Sequence, residues 1–249
     1  MRRKLTDTSH PDETLTDDYW LRFGDNPQPS MAEKIMYLTM EHVRSKGPSD
    51  FNSATICQRL GITNPMVNHY FGTRDGLLAA TLFEVYRRYI GHLAEAVRKA
   101  PREPKARLEA WIREQIERTC EMGGWATMLN NPMSALHVSE VFQSDYRDEV
   151  QQLFEGNLML LGYLLNDLRS GEVSTPPASL SSEERQEFLS NVELAGQVAS
   201  VAWSTLGAAM WLAGQHLPSA RNGDLWVLKD ELTTAHVERI IRSVELKGI

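Results

Sequence analysis

The chain has 249 residues, 42% of them apolar and 24% charged, with 26 Lys+Arg against 33 Asp+Glu and a net charge of −7. This length and balance fit one large or two small domains with a core that needs no disulfide or metal staple, and exclude wholesale disorder and fibrous repeats. A uniformly acidic protein repels nucleic acid and anionic membrane, so any contact with DNA has to be local.

Residues 1–29 are polar and rich in Pro, Asp and Thr, with a small apolar island at Tyr19-Trp20-Leu21 and Phe23. They read as a tail or arm. The start, Met1-Arg2-Arg3-Lys4-Leu5, is basic but lacks the apolar run of a secretory signal. Arg2-Arg3-Lys4 either reach a minor groove or form a disordered start. From Ser30 onward the period is helical. Met31, Ile35, Leu38, Thr39, His42 and Val43 line one face, Ser30 with Glu33 makes a capping box, and Gly47-Pro48 ends the helix.

A second, short helix runs from about Ser53 to Leu60, capped by Asn52 or Ser53 and stopped by Gly61. Thr63 caps a third that carries Pro65 in its first turn and ends near Tyr70-Phe71-Gly72. Thr73 caps a fourth, with Asp75 suited to its dipole, running through Leu77, Leu78, Leu82, Val85, Tyr86, Tyr89 and Leu93 to about Ala100. Pro101 and Pro104 break the chain before a helix from about Lys105 to Glu121, and Gly123-Gly124 precede a short apolar piece, Trp125 to Leu129. Further helices are expected at about Asp145 to Ser170, Ser182 to His216 and Lys229 to Leu246. Loops are expected at Gly171–Ser181 and Leu217–Asp224. No strand pattern or internal repeat is present, so the expected class is all-α.

Leu194 to Gly214 is uncharged and long enough to cross a bilayer. It is built of Ala, Gly and Ser with few strongly apolar residues, so the buried helix of a soluble bundle is the better reading. Cys57 and Cys120 form no zinc spacing and no disulfide framework, which fits a reducing cytoplasm.

The informative stretch is Ile56-Cys57-Gln58-Arg59-Leu60-Gly61-Ile62-Thr63-Asn64-Pro65-Met66-Val67-Asn68-His69-Tyr70-Phe71. Two short helices meet at a turn containing Gly61, the layout in which a second helix enters the major groove. Gly61 supplies a left-handed backbone without a Cβ clash. Small Cys57 lets the helices cross closely, and Ile56, Leu60, Ile62, Val67 and Phe71 form a tiny core. Thr63, Asn64, Met66, Asn68 and His69 are left to face outward.

With the flanking helices in place, residues Ile35 to Leu78 resemble the TetR family of transcriptional regulators. The junction His69-Tyr70-Phe71-Gly72-Thr73-Arg74-Asp75-Gly76-Leu77-Leu78 is similar to the family's entry into its fourth helix. The chain departs from the family pattern at Asn68, where Tyr is usual, at Phe51, where Thr is usual, and at Pro65. The resemblance implies an amino-terminal helix-turn-helix head over residues 30–75 and a helical ligand-binding and dimerisation body over 76–249. It implies DNA contacts from Lys46, Thr55, Thr63, Asn64, Met66, Asn68, His69, Tyr70, Thr73 and Arg74.

Alternatives stand beside several of these. Arg74 is either a phosphate contact or an exposed helix-start charge, and Tyr70 faces DNA or packs on the first helix. Asn64 and Asn68 pair with adenine edges, cap, or are solvated. Residues 30–75 hold Lys34, Arg44, Lys46, Arg59 and Arg74 against Glu33, Glu41, Asp50 and Asp75, and are the one non-acidic part of the chain. Modest non-specific affinity and clear salt sensitivity follow.

In the body, Trp111, Trp125, Met128, Met133, His137, Phe142, Phe154, Met159, Tyr163, Trp203, Met210 and Trp211 suggest an apolar pocket between helices, although core packing is the plainer role for any one of them. His137 with Glu140, or His216, is a weak metal candidate, and there is no His/Cys cluster. No metal and no cofactor are expected. The absence of G-x-S-x-G, a phosphate loop or H-E-x-x-H argues against an enzyme. The leading expectation is a cytoplasmic, ligand-responsive repressor released by a mostly apolar small molecule. It would bind a pseudo-palindromic operator in double-stranded DNA as a homodimer, with no membrane partner. Its dimer would form through Ala195, Ala199, Ala202, Leu206, Ala209, Val237, Ile240, Ile241 and Val244. The alternative is a helical small-molecule-binding or adaptor protein that has lost operator binding.

Overall fold

The computed structural model describes residues 29–130, 136–175, 182–215 and 228–245, and every regular element among them is a helix. These are α1 (Met31–Lys46), α2 (Ser53–Leu60), α3 (Asn64–Phe71), α4 (Arg74–Lys99), α5 (Pro104–Met122), α6 (Gly124–Asn130), α7 (Leu136–Asp145), α8 (Arg147–Ser170), α9 (Ser182–Ser190), α10 (Val192–Gln215) and α11 (Lys229–Glu245). The expected arm before residue 29, Met133, His216 and the link at 217–224 lie outside the described residues.

Local signals fix the first four helices. Ser30 Oγ accepts from the Glu33 backbone N–H at 3.3 Å while Glu33 Oε2 accepts from the Ser30 N–H at 2.6 Å, the reciprocal box. Asn52, not Ser53, caps α2, its Oδ1 accepting from the Ala54 N–H at 2.9 Å. Gly61 ends α2 at φ 64°, ψ 30°, and this left-handed residue turns the chain into α3. Thr63 occupies the cap position of α3 but its hydroxyl makes no cap bond. Thr73 Oγ1 accepts from the Gly76 N–H at 3.0 Å and starts α4.

The 26-residue α4 is the spine. Its inner face, with Leu77, Leu78, Leu82, Val85, Tyr89, Leu93 and Val97, belongs to one continuous core with Ile35 and Val43 of α1 and Leu108, Trp111, Ile112 and Ile116 of α5. The head (α1 to α3) and the helical body thus share a core instead of being joined by a linker. The body is fastened to α1 from a second side: the Trp125 indole N–H donates to the Met40 carbonyl at 2.9 Å. Gly123, at φ 55°, lies so close to the end of α1 that a Cβ there would stand 2.3 Å from the Arg44 carbonyl oxygen.

Two elements differ from the sequence expectation. α7 is a separate ten-residue helix whose short stripe of Val138 and Phe142 was too brief to stand out beside Pro132. The long helix expected from Ser182 is broken at Asn191, whose Oδ1 accepts from the Leu194 N–H at 3.0 Å and caps α10 anew. Among the described residues, no helix is long and apolar enough to cross a membrane.

Candidate nucleic-acid interface

The crossing of α2 and α3 is held by a small core. Ile56, Cys57, Val67 and Phe51 are buried, with Leu60, Ile62 and Phe71 packed at its margin. Asn64 pins the start of α3 to α2: its Oδ1 accepts from Ser53 Oγ at 3.1 Å and from the Cys57 thiol at 3.3 Å. Phe51, one of the three departures from the resembled pattern, plugs the α1–α2 turn and meets His42 edge-on at 5.7 Å.

Arg74 is the second fastening. Its Nη2 donates to the Pro48 carbonyl at 3.1 Å, Nε and Nη2 each donate to the Phe51 carbonyl at 3.3 Å, and Nη1 meets Asp75 at 3.1 Å. The guanidinium also covers the Phe51 ring at 5.5 Å. Arg74 is exposed at the first position of α4, as one of its two readings had it, but its guanidinium is also engaged with the protein's own backbone. The arginine ties the start of α4 to the α1–α2 turn, because that turn exposes carbonyls that a planar fork satisfies together.

What faces outward is nearly uncharged. Met66 is 40% and Tyr70 46% exposed, and Thr63, Pro65, Asn68 and His69 are exposed beside them. His69 and Tyr70 lie edge to face at 5.4 Å. Tyr70 also lies 6.2 Å from the Phe71 ring, so its exposed ring has an aromatic neighbour on either side. Lys46, at the end of α1, and Thr55, on α2, are exposed on the same head. Thr73 is exposed, with its hydroxyl engaged as the α4 cap. Arg59 is held by Glu41 at 3.1 Å.

The residues suggested for an apolar pocket are divided between core and surface. Trp111, Trp125, Met128 and Met159 are buried core, as is Phe142, because large apolar side chains here fill close-packed space. The Trp111 indole N–H is taken by Asn157 Oδ1 at 3.0 Å. Phe154 is 51% and Trp203 70% exposed, and His137 lies on the surface, 3.4 Å from Glu140. Tyr163 borders an open cavity of about 590 Å³ whose wall also carries Asn166, Asp167, Arg169, Ser170, Glu172, Val173 and Ser174. Most of those residues are polar or charged types, not the aromatic and methionine lining expected, although carbon makes up more of the exposed wall than nitrogen and oxygen do.

Val237, Ile240, Ile241 and Val244 of α11, expected at a dimer interface, are buried inside the chain together with Ala209. On α10, the other helix of that expected set, Ala195, Ala202 and Leu206 are half-buried, and Ala199 lies on an exposed stripe with Val192, Gly196, Trp203, Gly207 and Trp211 at helical spacing. Among the described residues no group of three His, Cys, Asp or Glu is placed to hold a metal. Burial pushes the Cys120 thiol up to about 12, a poor nucleophile.

Two relatives bear on the arrangement. Over 88 residues the chain is 35% identical to the HTH-type transcriptional regulator BetI of Yersinia pestis (strain Pestoides F), covering 33% of this chain and 42% of that protein. Over 119 residues it is 28% identical to the HTH-type transcriptional regulator BetI of Pectobacterium carotovorum subsp. carotovorum (strain PC1), covering 43% of this chain and 59% of that protein. The fold is TetR-like. The chain spans about two fifths to three fifths of the length of the curated relatives it matches. No family model matches the chain, and no solved structure does. The contacts that sequence reasoning did not foresee are those of Phe51 within the head and of Gly123 and Trp125 of the body with α1. Gly123-Gly124 marked a break and Trp125 the start of a short apolar piece, with no sign in either of a contact with α1.

Proposed function

We propose that this protein is a DNA-binding transcriptional repressor that acts in the cytoplasm as a homodimer. Its DNA-binding head would be residues 30–75 and its ligand-binding and dimerisation body residues 76–249. The observation that carries the reading is the mounting of α3. Asn64, Val67 and Phe71 anchor its inner side, while Met66, His69 and Tyr70 stand clear. A helix held this way suits a major groove about 12 Å wide. The similarity to regulators named HTH-type supports the same reading.

The apolar stripe of α10, with Trp203 and Trp211, supports the two-fold pairing. Pairing sets two copies of α3 about 34 Å apart on one face of a pseudo-palindromic duplex. A small-molecule effector would act from the body, where the Tyr163 cavity is one place to bind and the α1–α6 contact ties head to body. To release DNA it has to bind the DNA-incompetent state more tightly. The second reading, an adaptor that no longer binds an operator, is favoured by the absence of any Lys or Arg from α3.

Mobility-shift titration of the full chain against DNA flanking its own gene tests the proposal. Retardation at low salt, with a stoichiometry of two chains per site by sedimentation, is the expected outcome. If every fragment migrates freely at low salt, the repressor gives way to the adaptor.

A further inference from the structure

The base-reading side of α3 can be placed by its own geometry. Val67 is buried, Phe71 is half-buried, and Asn64 is tied to Ser53 and Cys57 of α2. At 3.6 residues per turn the opposite side is Pro65, Met66 and His69, flanked by Asn68 and Tyr70. From Gly61 to Gly72 there is no Lys, Arg, Asp or Glu.

That composition removes the commonest specific contact, the Arg fork on guanine O6 and N7. The nearby arginines do not replace it. Arg59 is held by Glu41, and Arg74 by the Pro48 and Phe51 carbonyls. Asn64 cannot give adenine its two-point pair, because its Oδ1 is already accepting from α2. Beside His69 and Tyr70, whose rings lie edge to face on each other, what remains outward is a thioether and a proline ring, which suit a methyl group. Asn68 also remains; it is exposed, and its amide has no hydrogen bond among the described residues.

Resting on the DNA-binding reading above, we propose that α3 reads A·T pairs. Met66, beside Pro65, packs on the C5-methyl of thymine, and Asn68 pairs with the N6 and N7 of a neighbouring adenine. The half-site is specified at its centre by a methyl group and an amide-matched edge, without a guanine contact from α3.

The test is selection from randomised duplexes of about 30 base pairs, long enough for two half-sites one helical turn apart. The full-length protein is used throughout. The selected duplex is then resynthesised with deoxyuridine for thymidine at single positions, which removes the methyl and nothing else. Affinity is expected to fall about 3- to 10-fold at one or two thymines per half-site, the scale of one buried methyl contact. Met66→Ala should lose a similar factor on the thymine duplex and bind thymine and uracil duplexes alike. Met66→Leu should keep the preference, and Asn68→Ala should relax the selected base at one position. Because Met66 and Asn68 are exposed, the variants should keep the wild-type melting curve. Equal binding of thymine and uracil duplexes by the wild type overturns the proposal, as does a G·C-centred half-site, or a Met66→Ala loss that ignores the methyl. Failure to enrich any duplex removes the DNA-binding reading itself, a result distinct from those three.

Discussion

Arg74 shows how a residue type that suggests a phosphate contact can be taken up by the protein's own backbone. Its three nitrogens satisfy two carbonyls of the α1–α2 turn and one neighbouring carboxylate, and its plane lies over Phe51. The pair with Asp75 is solvent-screened and adds little. The bonds to the Pro48 and Phe51 carbonyls hold the turn. Arg74→Ala is therefore expected to lower stability by about 1–3 kcal/mol. Arg74→Lys should recover only part, because an ammonium cannot reproduce the fork. His69→Ala, at an exposed position, should leave stability unchanged. Denaturant titration of the three variants checks this, and an Arg74→Ala curve that overlays the wild type removes the structural role.

At the scale of elements, the local signals in the sequence were strong wherever a helix end carries its own chemistry. Ser30 with Glu33, Asn52, Gly61 and Thr73 each declared a boundary that the structure keeps. The head was legible because its residues interact with near neighbours. The α10 start at Asn191 was missed because the apolar period runs on either side of a cap that reads as one more polar residue. The roles of the large aromatic residues of the body were not legible for a different reason: nothing in the sequence says whether a Trp fills the core or a pocket.

The bridge between α5 and α8 was equally hidden. Arg107 Nη1 donates to Asp167 Oδ2 at 2.7 Å and to the Ser174 carbonyl at 3.1 Å, while Asp167 Oδ1 accepts from the Ser174 N–H at 3.0 Å and hydroxyl at 2.5 Å. Both charges are buried, so removing one leaves the other without compensation. Arg107→Ala should cost about 3–5 kcal/mol, whereas the double change Arg107→Met with Asp167→Leu should restore most of it. Chemical denaturation of the single and double variants measures the difference. A double variant no more stable than Arg107→Ala would show that the pair's packing, not its charge balance, is what matters.

For the whole molecule, acid should act in two separate windows. Burial, and then the positive charge of Arg118, hold His92 below its ordinary 6.5, although Glu114 opposes them. Burial and Arg239 do the same to His236. The unfolded chain therefore binds protons before the native one, so this stability is complete above 6.5 and is lost as pH falls below it. Glu84 behaves otherwise: burial raises its carboxyl, but Arg87 and Arg88 more than reverse this. Its contribution survives until pH falls below the ordinary carboxylate value of 4.5. Melting temperature measured from pH 8 down should hold level, then decline from about 6.5. The decline should flatten in a His92→Gln, His236→Gln variant. An unaltered decline in that variant would clear both histidines.

The double attachment of the head has a mechanical meaning. α4 leaves the head without a break, and Gly123 and Trp125 grip α1 elsewhere. A stiff object held at two separated places keeps one easy rotation, about the line through them. The head therefore has an axle and not a ball joint, and a push delivered at α6 reaches α3 as a swing along one arc.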